Sequence, residues 1–284
     1  MLENHSTCSP WTRPLQPSSC VGKIFGYCAH RRKAGGREGG REGGRERMRV
    51  IKAAIGDAVL TFMWVFCVSS LGALTSTIAS AFSIQGPATI PITTLLLFAL
   101  FFLFSFIGAA LGGASFNPTG TAAFYAAGLG SENLISMAFR FPAQALGAVG
   151  GALAIMEVMP KQYKHMLGGP SLKVDIQTAA IAEGILTFTA NFVVLFVILK
   201  GPRSRLIKMW LLSISTVTLV ISGSSYTGPS MNPANAFGWA YVKQWHDTWE
   251  QLYVYWILPF AGAILAGWLF RMIFPPPTPK QKTA

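Results

Sequence analysis

"GGASFNPTGT" occupies residues 112–121, and "GPSMNPANAF" occupies residues 228–237. Each carries Ser-x-Asn-Pro and lies beside long apolar segments. Asn is a favoured helix N-cap and Pro a favoured first helical residue, so each Asn-Pro opens a helix. The segments that follow, "PTGTAAFYAAG" and "PANAFGWAY", are far shorter than the about 20 residues that cross a bilayer. They read as half-helices. Irregular backbone at membrane depth is tolerated only where protein buries it or water lines it.

The rest of the chain supplies the membrane. Its 284 residues are 51% hydrophobic and only 12% charged, against about 25% charged in soluble domains. Six apolar spans are expected, at about 51–75, 90–112, 134–157, 176–199, 206–224 and 251–273. The net charge is +12. A nucleic-acid partner would need the basic residues on one face. They lie instead in tails and short loops. Lys200, Arg203, Arg205 and Lys208 cluster in the segment 200–208, where the fourth span gives way to the fifth, while 76–89 holds no Lys or Arg. The positive-inside bias therefore places this cluster and both termini in the cytosol, although Lys161, Lys164 and Lys173 lie on the other side.

The spans contain a repeat. "AAIGDAVLTFMWVF" (53–66) aligns without gaps on "AAIAEGILTFTANF" (179–192), with seven of fourteen positions identical and Asp57 opposite Glu183. Each copy is followed by its own Asn-Pro stretch. Each half holds three spans, an odd number, so the second half is inverted in the membrane. Two half-helices then enter from opposite faces and meet N-terminus to N-terminus. Their dipoles focus positive potential at the meeting point and repel cations. Asn117 and Asn232 offer amide donors to a passing water oxygen. The repeated tetrapeptide thus predicts a two-sided polar constriction, with its centre at Asn117-Pro118-Thr119 and Asn232-Pro233-Ala234.

Residues 1–47 read as a disordered basic tail, because "AGGREGGREGGRER" has Gly and charge but no core to bury. Cys8, Cys20 and Cys28 lie in that tail and Cys67 in the first span. Their spacing suggests neither a disulfide framework nor a metal site. The channel domain is expected over 48–275, with repeats at about 51–157 and 176–273 and a short tail at 276–284. Asp57 and Glu183 are read as the ionisable groups deep in the spans. Gly108-x-x-x-Gly112 and Gly147-x-x-x-Gly151 read as close-packing pairs within one subunit. Trp239, Trp245 and Trp249 fit an interfacial belt.

These residues resemble the aquaporins of the major intrinsic protein family. The fold implied is all-α and transmembrane: six helices plus two half-helices in an inverted repeat. The family motif is Asn-Pro-Ala twice. Thr119 departs from it, and with the basic balance this resembles the first group of plant small basic intrinsic proteins. Alignment around the motifs puts the outer filter at Leu97, Val220, Pro229 and Asn235. Most members carry Arg where this chain has Asn235, so the half-helix dipoles remain and the Arg barrier does not. The resemblance also makes Asp57 and Glu183 structural acceptors for the backbone of the Asn-Pro loops.

The expected function is passive water conduction. Other small neutral solutes (hydrogen peroxide, ammonia, glycerol) or a non-conducting membrane scaffold are the alternatives. No catalytic residue, cofactor or metal is implied, and no nucleic-acid partner. The resemblance implies a homotetramer in a lipid bilayer. Lys280 and Lys282 form a K-x-K-x-x ending, which resembles a retrieval signal and points to the endoplasmic reticulum membrane rather than the plasma membrane.

Overall fold

Apolar side chains at membrane length fold as helices because backbone groups have no water to bond in the bilayer. The computed structural model describes residues 39–129 and 133–275, with side chains from Gly44 onward. Nine helices organise them: α1 (Gly39–Ser69), α2 (Leu71–Ala81), α3 (Ile90–Ala110), α4 (Pro118–Ala126), α5 (Leu134–Val158), α6 (Ile176–Leu199), α7 (Arg205–Gly223), α8 (Pro233–Val242) and α9 (Trp249–Ile273). Six helical segments are long and apolar enough to cross a membrane, α1 and α2 together making the first. No strand occurs among the described residues.

Several expectations change. The tail was read as disordered through residue 47, yet α1 begins at Gly39. Extending a formed helix costs far less than starting one, and Arg45, Glu46 and Arg47 are good helix formers. Residues 1–38 and the Lys280–Lys282 ending lie outside the described residues. The first crossing runs to Ala81 rather than stopping near 75. It breaks at Ser70, where Ser69 and Ser70 hydroxyls donate to the Val65 and Cys67 carbonyls and so compete with the helix ladder. Trp239 is 2% exposed and packs on Gly169 instead of sitting at an interface. Trp249, 61% exposed, does fit a belt position.

The inverted repeat is visible in the packing. In the first half α1 lies along α5, and in the second α6 lies along α9. Small residues allow both contacts. A methyl group at Gly147 or Gly151 would strike the backbone of α1 at Ala58 and Phe62; one at Gly262 would strike Gly184 of α6. Gly112 has a different use from the close packing expected of it. It has open space around it and a φ of 77°, a left-handed turn that releases the chain from α3. The two half-helices are exchanged between repeats. α8 packs on α5, and α4 packs on α9. In α9 a π turn at Tyr253–Ile257 precedes Pro259, whose ring nitrogen has no hydrogen to donate back along the helix.

Two buried carboxylates tie the Asn-Pro loops to this frame. Asp57, on α1, is fully buried. Its Oδ1 accepts from the Ser115 N–H at 2.8 Å. Arg140 of α5 donates from Nε to Oδ2 and from Nη2 to Oδ1, both at 2.7 Å, and Gln144 Nε2 donates to Oδ2 at 2.6 Å. Glu183, on α6, instead accepts from neutral donors. These are the Thr227 hydroxyl at 2.9 Å, the Ser230 N–H at 2.9 Å and the Met231 N–H at 3.1 Å. Asp57 and Glu183 are therefore not the sole ionisable groups deep in the spans: Arg140 is 1% exposed. Lys208, expected in the basic cluster, is also buried, and its ammonium donates to the Ile198 carbonyl.

Two outcomes follow from this packing. Gly147→Ala should lower stability in detergent by about 1–3 kcal/mol, because the α1–α5 contact has no room for a methyl. Gly44→Ala, where nothing lies within 4 Å, should not; thermal unfolding compares the two. Arg140→Gln should cost about 3–5 kcal/mol by leaving the Asp57 carboxylate buried without its counter-charge. Adding Asp57→Asn to Arg140→Gln should recover much of that loss in the same measurement.

Candidate pore

Asn117 caps α4 with extended backbone, φ −139° and ψ 114°. Its Oδ1 accepts from the Thr119 N–H at 3.0 Å. Asn232 caps α8 in the same way, φ −144° and ψ 101°, with Oδ1 accepting from Ala234 and Asn235 N–H at 3.1 and 3.3 Å. Pro118 and Pro233 stand at the first helical positions. Each cap satisfies helix-end donors that would otherwise be stranded at membrane depth.

The two caps then hold each other. Asn117 Nδ2 donates to the Met231 carbonyl at 3.0 Å, and Asn232 Nδ2 donates to the Phe116 carbonyl at 2.9 Å. The two N-termini therefore abut, as an inverted pair requires. An amide NH₂ has two hydrogens. Each amide spends one on the opposite loop and keeps one for the cavity that both residues line. Met231 has a φ of 50°, a costly conformation for a side-chain-bearing residue. Its N–H is fixed by Glu183 and its carbonyl by Asn117, so both flanking peptide groups are constrained.

Thr119, where the family pattern has Ala, is fully buried. Its hydroxyl lies 2.8 Å from Asn117 Oδ1 and 3.2 Å from the Met231 carbonyl. The substitution therefore adds a polar contact between the half-helices.

One cavity of about 530 Å³ runs along this junction. Leu97 from α3, Val220 from α7, Pro229 from the second loop and Asn235 from α8 all line it. Pro229 is backed closely by Gly223. Asn235 Nδ2 donates to the Ser230 hydroxyl at 3.2 Å, while its Oδ1 is buried with no hydrogen-bond partner among the described residues. No charged side chain lines the cavity among the described residues.

Reading the chain alone missed four contributors. Arg140 and Gln144 hold Asp57; a lone Arg inside a span was the available signal. Trp64 lines the cavity and stacks on Phe116 with ring centroids 4.1 Å apart. Asn191 also lines it, donating to the Thr187 carbonyl at 2.9 Å and the Thr119 hydroxyl at 3.4 Å. The duplicated segment held the clue to both, since it sets Trp64 against Ala190 and Val65 against Asn191.

Residues 45–270 match the family described as "Major intrinsic protein". "Aquaporin SIP1-1" of Zea mays is 61% identical, over 82% of this chain and 96% of that protein. "Aquaporin SIP1-1" of Arabidopsis thaliana is 54% identical, over 83% of this chain and 98% of that protein. The aquaglyceroporin from Plasmodium falciparum superposes with a TM-score of 0.60 at 18% identity, covering 80% of this chain and 98% of that one, and so shares the fold. The chain therefore belongs to the major intrinsic protein family, in the first group of plant small basic intrinsic proteins, and with that to a non-enzymatic family of membrane channels for water or small solutes.

Proposed function

We propose that the permeant is water, moving passively along osmotic gradients through the cavity between the half-helices. The observation that carries this reading is the reciprocal amide clamp. It leaves each of Asn117 and Asn232 one amide hydrogen, and both residues line the cavity. A water oxygen accepts two hydrogen bonds there, and the two dipoles disfavour a cation in its place. Leu97, Val220, Pro229 and Asn235 form the outer filter in this reading. It is apolar apart from one amide, which gives one of its two hydrogens to Ser230. Without an Arg, cation exclusion rests on the half-helices.

A second reading follows from Asn235. It stands where most family members carry Arg, so the filter lacks that charge, and small neutral solutes such as ammonia, hydrogen peroxide or glycerol pass as well as water. The assembly proposed is a homotetramer with one pore per subunit. It sits in the endoplasmic reticulum membrane with both termini cytosolic, returned there by the Lys280–Lys282 ending.

Stopped-flow shrinkage of liposomes carrying residues 48–284 tests this. Fast shrinkage is expected, with loss to the level of empty liposomes in Asn232→Leu. Folded wild-type protein that shrinks no faster than empty liposomes would remove water as permeant, and the same vesicles would then be assayed with peroxide and ammonia.

A further inference from the structure

Helix α6 brings a fourth amide to the cavity wall, besides Asn117, Asn232 and Asn235. Asn191 is 4% exposed and lines the cavity beside Ala190. The orientation of its amide is set by its neighbours. Nδ2 lies 2.9 Å from the Thr187 carbonyl oxygen. Flipping the group would put two acceptors against each other, so the nitrogen stays there. The same nitrogen reaches the Thr119 hydroxyl at 3.4 Å. Both donors are thus occupied, and Oδ1 is the polar atom left over. It has no hydrogen-bond partner among the described residues. It is also not among the buried atoms lacking a partner, so it retains access to the cavity.

The position is off the repeat symmetry. In the aligned segments Asn191 corresponds to Val65, and its neighbour Ala190 to Trp64. Chain direction puts the two on opposite sides of the half-helix junction. α1 starts on the side of both termini and passes Asp57 before Trp64; α6 returns toward that side and passes Glu183 before Asn191. The wall is aromatic on the far side, with Trp64 stacked on Phe101 and Phe116. On the near side a small residue opens the wall and an amide stands next to it.

We propose that Asn191 is a specificity-determining pore residue whose amide oxygen accepts a hydrogen bond from the permeating molecule. This rests on the channel reading above and deepens it. The junction offers donors and Asn191 offers an acceptor one step away. Together they favour molecules that both accept and donate hydrogen bonds, such as water, ammonia and hydrogen peroxide. A solute without a hydrogen to donate leaves the Asn191 oxygen unpaired, which disfavours its passage. Thr119 orients the amide and does not contact the solute in this scheme.

The test uses the full chain in liposomes at matched protein density, followed by stopped-flow shrinkage. Wild type, Asn232→Leu, Asn191→Leu and Asn191→Gln are compared. Asn191→Leu should lower water permeability per channel about fivefold, the effect of losing roughly one hydrogen bond. Asn191→Gln keeps an amide oxygen and should recover a large part of the flux. Wild-type flux in Asn191→Leu would overturn the proposal. So would a flux in Asn191→Gln no higher than in Asn191→Leu, which would make the residue a brace for α4 rather than an acceptor. If Asn191→Leu does not fold, Asn191→Val, which places the residue found at the equivalent repeat position, is read against the same outcomes. Wild type as slow as empty liposomes would instead defeat the water reading on which the proposal rests.

Discussion

Two hydrogen bonds, each from an Asn side chain to a carbonyl of the opposite loop, join the halves of this protein at their centre. Neither half-helix is long enough to be stable alone. Each ends at membrane depth, where free N–H groups find no water. An Asn solves both problems at once, because its oxygen caps its own helix while its nitrogen reaches across. Two dipoles pointing at each other would otherwise repel. The clamp holds them together, and the repulsion becomes the barrier to cations.

Everything around the clamp serves to hold it. The carboxylates work in different ways in the two repeats. Asp57 is neutralised by a bidentate Arg140 and fixes one loop N–H, whereas Glu183 relies on a hydroxyl and two loop N–H groups. The first arrangement offsets charge with charge. The second leaves the charge to the loop dipoles, and that loop is the one containing Met231 in its left-handed conformation. The position after the first Asn-Pro has diverged along with it, since Thr119 adds a hydroxyl where Ala234 adds none. The pore is therefore symmetric in backbone and asymmetric in chemistry.

The backbone was the legible part. Span lengths, the inversion and the half-helices all follow from apolar run lengths and from Asn-Pro placed twice, because these are local signals. What stayed hidden depends on where side chains meet. Arg140 sits in a span that hydropathy averages to apolar, and only the fold brings Asp57 to it. Asn191 is a polar residue in an apolar helix, and only its neighbours, Thr187 and Thr119, fix which atom is left over. The Ser69–Ser70 break and the helical start at Gly39 escaped for another reason. Both are balances between helix extension and local alternatives that composition does not weigh.

The exchange of half-helices between repeats bears on how the protein is made. The first half-helix, α4, finds its packing surface on α9, the last helix of the chain. It leaves the ribosome long before that surface exists. Before the second repeat is made, the polar first loop is held by α1 and α5, through Asp57 and Arg140. That buried ion pair sits on elements that are all complete within the first repeat, so it is able to organise the loop while the second repeat is still being translated.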